Sequence, residues 1–139
     1  MKLHTTNYIN TFIEVADDSP ALQGEAPPQK DEKRSVASLQ FELIRKNPYV
    51  YTSDDVLFDI YAEKHELIDS EREEARQTFF SKGQPCLRSS PLPKRYGWGI
   101  HYDAEGKMAI YALESKEYKA LAADSSLHHL KAMRSKRAL

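Results

Sequence analysis

The segment Tyr96–Glu114 constrains the fold more than any other part of the chain, because it predicts a β-hairpin. Two arms with an alternating pattern, Tyr96–Asp103 and Lys107–Glu114, are separated by three residues. Gly106 stands at the point where a three-residue hairpin loop requires a positive φ. The loop length sets the register of the two arms and gives the hairpin two different faces.

One face of this hairpin is predicted to be core and the other to be unusually open. The core face carries Trp98, Ile100, Tyr102, Met108, Ile110 and Ala112. On the other face Gly99 lies opposite Tyr111, and Gly97 and His101 are its neighbours. We expect Tyr111 and Leu113 to fold over the two glycines, since aromatic side chains often cover a strand glycine.

The remaining elements follow from periodicity and capping. A strand is predicted at Tyr8–Ala16, where β-branched residues alternate. Helix signals include N-terminal caps and, for the third helix, a Ser70/Glu73 capping box. The predicted helices are Ser35–Lys46, a helix starting near Thr52 or Ser53, Ser70 to about Gly83, and Ser115 to about Ala123. A short strand is also predicted near Leu127–Met133.

These elements predict an α+β fold in which a small antiparallel sheet packs against about four helices. The sheet consists of the N-terminal strand and the 96–114 hairpin. We expect one domain over residues 1–139, with an irregular loop at about 17–34 and a basic tail at about 127–139.

Composition excludes several classes of protein. The chain has 139 residues, of which 40% are hydrophobic and 29% charged, as in ordinary globular domains. A net charge of −1 argues against coating nucleic acid through charge alone. Since no long apolar stretch or leader pattern is present, we expect no membrane segment and a cytoplasmic location. Cys86 is the single cysteine, which fits a reducing compartment.

The charges are unevenly distributed along the chain. Nine acidic residues fall within 54–74, whereas 82–101 and 127–139 each contain four Lys or Arg residues and no acid. Two basic segments that meet in space can form an anion site even on a protein of near-zero net charge.

The proline-rich segment Pro85–Gly99 is the strongest candidate for a binding site. Convergent cations and hydroxyl groups suit a phosphate or carboxylate, and arginine binds such groups with two parallel hydrogen bonds. The candidate ligand-binding residues are Arg88, Ser89, Ser90, Lys94, Arg95 and, from the tail, Arg134 and Lys136. The plainer interpretations are a loop that routes the chain into the hairpin and a solvated terminus.

Catalysis, metal binding and cofactor binding receive less support. Cys86 and His101 are weak catalytic candidates, because no spacing brings a base near the thiol. His65 and Asp69 are four residues apart, and His128 and His129 are adjacent, but neither pattern matches a zinc or calcium site. We therefore predict no metal and no cofactor, and the sequence favours a non-catalytic protein over an enzyme without deciding between them.

Four strings resemble a family of small, mostly bacterial proteins catalogued only as a domain of unknown function. They are HTTNY (4–8), YTSDDVLF (51–58), FFSKGQPCLRSSPLPKRYGWGIH (79–101) and KAMRSKR (131–137). The resemblance extends nearly from end to end and implies a stand-alone cytoplasmic domain. It implies no activity, cofactor or catalytic residue.

Three functional hypotheses remain at this point. The first is a non-catalytic domain that binds an anionic small molecule through the basic segment, with nucleic acid as a less favoured ligand. The second is an enzyme with a pocket on the Gly97/Gly99/His101 face and His101 as acid or base. The third is a protein-interaction module or homodimer that uses the acidic helices or a strand edge.

Overall fold

The computed structural model describes residues 3–28 and 35–135, and the predicted hairpin forms the centre of its sheet. The hairpin strands are β2 (Trp98–Tyr102) and β3 (Met108–Ala112). Gly99 pairs with Tyr111, which confirms the predicted register. Gly106 has a φ of 79°, as the three-residue loop requires.

The N-terminal strand is shorter than predicted. β1 spans Thr11–Glu14 instead of Tyr8–Ala16 and pairs antiparallel with β2. Asn10 has a φ of 47°, a left-handed conformation that interrupts an extended chain. Ile9 therefore leaves the pleated surface and is 57% exposed.

The C-terminal segment adds a fourth strand, β4 (His128–Lys131), in the region predicted near Leu127–Met133. β4 pairs parallel with β1, and the strand order is β3-β2-β1-β4. The predicted antiparallel part of the sheet is confirmed, but this outer strand makes the whole sheet mixed. Sheet and helices together confirm the α+β class.

Five α-helices lie in the described part of the chain, against about four predicted. They are α1 (Val36–Lys46), α2 (Ser53–Lys64), α3 (Asp69–Phe80), α4 (Pro91–Arg95) and α5 (Lys116–Ala122). The caps Ser35, Thr52 and Ser115 are confirmed, because each side chain accepts a hydrogen bond from the backbone N–H three residues later. None of the helices in residues 3–28 and 35–135 has the length and apolar character needed to cross a membrane.

The predicted start of α3 is wrong by about two residues. The Ser70/Glu73 capping box does not form at the helix start. Instead, the Ile68 N–H donates to the Glu71 carboxylate at 3.0 Å, and the helix begins at Asp69. Glu71 satisfies a backbone donor that has no partner within the helix, so the same physical requirement is met by a different residue.

The predicted core face of the hairpin is buried beneath α1 and α2. Trp98, Ile100 and Tyr102 are at most 5% exposed and belong to one cluster with Ile44 and Val56. The Trp98 ring therefore faces inward, and its N–H donates to the Glu25 carbonyl at 2.8 Å. A second, smaller cluster between α2 and α3 contains Phe58, Ala62 and Phe80.

A buried carboxylate ties the N-terminal segment to α2. Asp54 is only 9% exposed and accepts hydrogen bonds from the Thr5 hydroxyl, the Thr6 hydroxyl and the Thr6 N–H, each at 2.7 Å. Burying a carboxylate is costly unless hydrogen bonds replace its hydration. The two strings HTTNY and YTSDDVLF therefore meet in space for a structural reason.

The glycine face of the hairpin is filled, but not by the predicted residues. The atoms nearest to Gly99 belong to Phe12 of β1 and Tyr118 of α5, whose rings contact each other edge to face. Gly97 has a φ of 80° and lies against the backbone of Gln23. The prediction that Tyr111 and Leu113 cover the glycines is wrong. Phe12 of β1 and Tyr118 of α5 cover Gly99, and the backbone of Gln23 covers Gly97.

We expect Gly99→Ala to lower the free energy of unfolding by about 1–3 kcal/mol, the usual cost of forcing an extra methyl group into a packed site. A Cβ at this position would lie 2.6 Å from the Tyr118 ring and 2.7 Å from the Phe12 ring. Urea denaturation of the two proteins measures the difference.

Gly83→Ala is the matched control for this substitution. A Cβ there would lie 4.0 Å from its nearest neighbour, His4 Nδ1, so the free energy of unfolding should change by less than about 0.5 kcal/mol. Equal stability of the Gly99→Ala protein and the wild type would contradict the packing of Phe12 and Tyr118 over the strand.

Candidate functional site

The proline-rich segment Pro85–Gly99, which we call the basic segment, is predicted to be a loop. It contains a 3-10 turn, Leu87–Ser89, and the short helix α4. Ser90 caps this helix: its oxygen accepts from the Leu92 N–H at 3.2 Å and its hydroxyl donates to Gln40 Oε1 at 2.6 Å. Pro91 occupies the first helical position, where its missing N–H costs nothing. The proline-rich sequence therefore produces an ordered turn that is anchored to α1.

Backbone hydrogen bonds hold α4 against the irregular segment that follows β1. The Ala16 N–H donates to the Pro93 carbonyl at 2.9 Å, and the Glu25 N–H donates to the Tyr96 carbonyl at 2.8 Å. Residues 17–28, the described part of the predicted irregular loop, contain neither helix nor strand, and residues 29–34 lie outside the described residues. The first part of this loop thus becomes a neighbour of the basic segment.

The C-terminal tail also meets the basic segment. Arg88 Nε donates to the Lys131 carbonyl at 3.0 Å, and the Met133 N–H donates to the Arg88 carbonyl at 2.9 Å. The tail then reaches the irregular loop, because the Ser135 N–H donates to the Asp18 carboxylate at 2.9 Å. Three segments that are distant in sequence converge at this place.

These three segments enclose a cleft with a volume of about 620 Å³, which we call the basic cleft. Its walls come from the irregular loop, from the 3-10 turn with α4, and from the tail. The lining residues are Asp18, Pro20, Ser89, Pro91, Lys94, Arg95 and Ser135.

The cations of this region differ in whether they have an acidic partner. Lys131 Nζ lies 2.7 Å from the Asp17 carboxylate, which raises the pKa of Lys131 through a hydrogen bond and charge attraction. Lys94 and Arg95 form no ion pair and no side-chain hydrogen bond within residues 3–28 and 35–135. Lys94 and Arg95 thus line the basic cleft without an acidic partner among the described residues.

The predicted ligand-binding residues do not all reach the cleft. Ser89, Lys94 and Arg95 line it, whereas Ser90 is buried beneath it and hydrogen-bonded to Gln40. The other predicted positions lie in or beside the tail: Arg88 binds the Lys131 carbonyl, Arg134 is exposed one residue before Ser135, and Lys136 lies outside the described residues.

Cys86 contacts a tyrosine and no histidine. The Tyr8 hydroxyl donates to Cys86 Sγ at 3.2 Å, and burial together with this contact raises the pKa of Tyr8 to about 12. All five histidines lie in the described residues, and none of them forms a hydrogen bond with the thiol. Among the described residues, no histidine is therefore hydrogen-bonded to the thiol as the base of a nucleophilic cysteine would be.

His101 belongs to a chain of three polar side chains that sequence reasoning missed. The Tyr49 hydroxyl lies 2.7 Å from His101 Nδ1 and 2.9 Å from the Tyr111 hydroxyl. Tyr49 has a φ of 59°, an uncommon conformation for a residue with a side chain. Burial lowers the pKa of His101, although Asp103 and Asp124 act in the opposite direction. We call Tyr49, His101 and Tyr111 the tyrosine–histidine chain.

The described residues hold no group of three or more His, Cys, Asp or Glu side chains that could bind a metal ion. His129 illustrates the reason, because its ring contacts the Asp124 carbonyl at 2.6 Å and has only Glu14 as a distant acidic neighbour, at 3.9 Å. In the same way, His65 Nδ1 lies 2.9 Å from the backbone carbonyl oxygen of Tyr61.

Two polar residues of the cleft, Asp18 and Ser135, were not predicted as site residues from the sequence. Asp18 lies in a segment without periodicity, and Ser135 lies in a tail whose partner strand is more than 100 residues away. No local spacing signals either contact. The basic composition pointed to the turn with α4 and to the tail, and it gave no signal for the wall that the irregular loop forms.

These features define a class of protein: an α+β domain with a mixed four-stranded sheet and a basic cleft lined by the short helix α4, the irregular loop and the tail. The chain belongs to the family of unknown function DUF6157, whose model matches residues 3–138. This match confirms the resemblance to a domain of unknown function. No curated protein and no solved structure matches the chain.

We expect acidification to destabilise the protein through His101. Its pKa is lower in the folded state than the usual value of about 6.5, so the unfolded chain binds the proton more readily. The contribution of this residue to the free energy of unfolding is greatest above about pH 6.5. It decreases as the pH drops toward the folded-state pKa.

Urea denaturation at about pH 7.5 and about pH 5.5 measures this effect. His101→Asn is the comparison, because its amide does not titrate and keeps a polar atom near the Tyr49 hydroxyl. The wild type should lose more stability on acidification than the variant does. Equal losses in both proteins would show that His101 is not the responsible group.

Proposed function

We propose that this domain is a non-catalytic binding domain for an anionic, phosphate- or carboxylate-bearing small molecule that occupies the basic cleft. One observation carries the proposal: Lys94 and Arg95 line the same cleft and have no acidic partner in the described part of the chain. Free cations on one wall of a cleft provide the charge and the donors that such an anion requires.

Hydrogen bonds around the cleft support a site whose backbone is already in place before a ligand binds. Ser90 and Gln40 form a buried hydrogen bond beneath α4, and Pro93 is tied to the end of β1. A rigid backbone reduces the entropy lost on binding. A volume of about 620 Å³ is within the usual range for small-molecule sites.

A small molecule fits this site better than nucleic acid does. Asp17 and Asp18 stand beside the cations, and Asp17 already neutralises Lys131. Nucleic-acid binding depends on many simultaneous phosphate contacts along an extended basic surface. The net charge of −1 provides no such surface.

We expect Arg95→Ala and Lys94→Ala each to weaken the binding of inorganic phosphate by about ten-fold, the effect of losing one charge-assisted contact. Isothermal titration calorimetry at low salt measures the affinity, and added salt should weaken it because exposed charges are screened. Arg95→Lys should retain part of the affinity, since it keeps the charge but loses the forked geometry.

Lys119→Ala on α5 is the matched control, because it removes an exposed positive charge outside the cleft. It should bind phosphate as the wild type does. Failure of phosphate and of simple carboxylates to bind the wild type at low salt would refute the proposal, as would equal weakening by all of these substitutions.

The tyrosine–histidine chain supports a second candidate function, acid–base catalysis with His101 as the proton carrier. The supporting observation is the 2.7 Å contact between His101 Nδ1 and the Tyr49 hydroxyl. The space over Gly99 that first motivated this hypothesis is filled by Phe12 and Tyr118. A substrate would therefore have to approach from the side of Tyr49 and Tyr111.

This second function predicts slow turnover of a chromogenic ester or phosphate ester that His101→Asn and Tyr49→Phe abolish and Lys119→Ala preserves. A panel of such substrates, followed by absorbance, measures it. Absence of turnover with every member of the panel, or turnover that survives His101→Asn, would reject catalysis at this position.

A further inference from the structure

One face of the short helix α4 forms part of the wall of the basic cleft. Pro91, Lys94 and Arg95 all line the cleft, and their spacing of three and four residues places them on the same side of a helix. Pro91 is the first residue of α4, and the two cations lie in its last turn. This face therefore changes along its length from an apolar ring to two positive charges.

A second proline ring lines the cleft from the irregular loop. Pro20 is exposed and lies within a turn, in which the Ser19 N–H donates to the Ala16 carbonyl at 3.1 Å. The Ala21 N–H donates to the Ser19 hydroxyl oxygen at 3.2 Å, and Ala21 is buried. The same Ala16 is bonded to Pro93 of α4. Because proline also fixes its own φ, the ring of Pro20 is held in place beside α4.

We infer that the ligand of the basic cleft is an anion in which one phosphate or carboxylate group is attached to a compact apolar ring. This inference rests on the proposed function and deepens it, because it names the class of anion. Lys94 and Arg95 hold the anionic group, while the rings of Pro20 and Pro91 contact the apolar ring of the ligand.

The size and the charge of the cleft agree with such a ligand. Its volume of about 620 Å³ suits a whole small molecule and is far larger than a bare phosphate ion needs. Among the described residues that line the cleft, Lys94 and Arg95 are the only cations, and they are adjacent in the chain, so one anionic group can contact both. A ligand that covers the proline rings gains free energy in proportion to the apolar area removed from water.

Matched pairs of probes test this inference with the full-length protein. Phenyl phosphate and methyl phosphate share the phosphate group and differ in the apolar part, and benzoate and acetate form the corresponding carboxylate pair. Glycerol phosphate is the polar comparison, because it enlarges the ester without adding an apolar ring. Isothermal titration calorimetry at low salt measures each affinity, and the two pairs distinguish a phosphate ligand from a carboxylate ligand.

We expect phenyl phosphate or benzoate to bind about ten-fold more tightly than its smaller match, because the ring buries apolar surface against the prolines. Glycerol phosphate should bind as methyl phosphate does. Added sodium chloride should weaken both members of a pair and leave their ratio unchanged, since salt screens only the charge contacts. The ring-bearing probe should also show the more negative heat-capacity change on binding.

Substitutions identify the surface that contacts the ring. Pro20→Ser and Pro91→Ala should each lower the affinity ratio of phenyl phosphate to methyl phosphate, and the double variant should bring it close to one. Pro85→Ala is the matched control, because this exposed proline belongs to the basic segment but does not line the cleft. Its ratio should equal that of the wild type. Arg95→Ala should weaken both phosphates by the same factor and leave the ratio unchanged.

Each outcome has one meaning. Equal affinities within both pairs would overturn the inference and leave the anion site standing. A gain by glycerol phosphate as large as that of phenyl phosphate would overturn it as well, because size and not apolar character would then be recognised. The same holds if the ring keeps its advantage in the double variant Pro20→Ser/Pro91→Ala. If none of the probes binds, the proposed function and the inference fail together.

Discussion

The parallel pairing of β4 with β1 determines the position of the tail, which forms one of the three walls of the basic cleft. Its register places Thr11 opposite His128 and Glu14 opposite Lys131. A slip of one residue would turn the side chains of β4 to the opposite face and displace the segment that follows it. The contacts of the tail with Arg88 and Asp18 would then be lost, and the cleft would have only two walls.

The fold, and not the distribution of charge along the chain, determines which cations of this protein are paired with an acidic residue. The basic tail contains no acid in sequence, yet Asp17 lies 2.7 Å from Lys131. Lys94 and Arg95 line the basic cleft and have no acidic partner in the described part of the chain. A cation that is already neutralised adds little to anion binding, so the two unpaired cations carry the electrostatic part of the proposed site.

Features governed by neighbouring residues were predictable from the sequence, and features governed by distant segments were not. The hairpin register follows from Gly106 and its loop, and the cap at Ser115 follows from a local hydrogen bond. The approach of Tyr118 to Gly99 depends on how α5 returns to the sheet, which no spacing encodes. For the same reason Arg95 could be identified as a site residue and Asp18 could not.

The hydrogen bond from Arg88 to the Lys131 carbonyl has a consequence for how this protein behaves at high concentration. β4 is one of the two edge strands of the sheet, and such strands expose backbone groups that can pair with another chain. The Arg88 side chain covers one of these carbonyls, and the charge of Lys131 stands beside it. The Arg88 side chain thus leaves one fewer backbone acceptor on this edge for pairing with another chain.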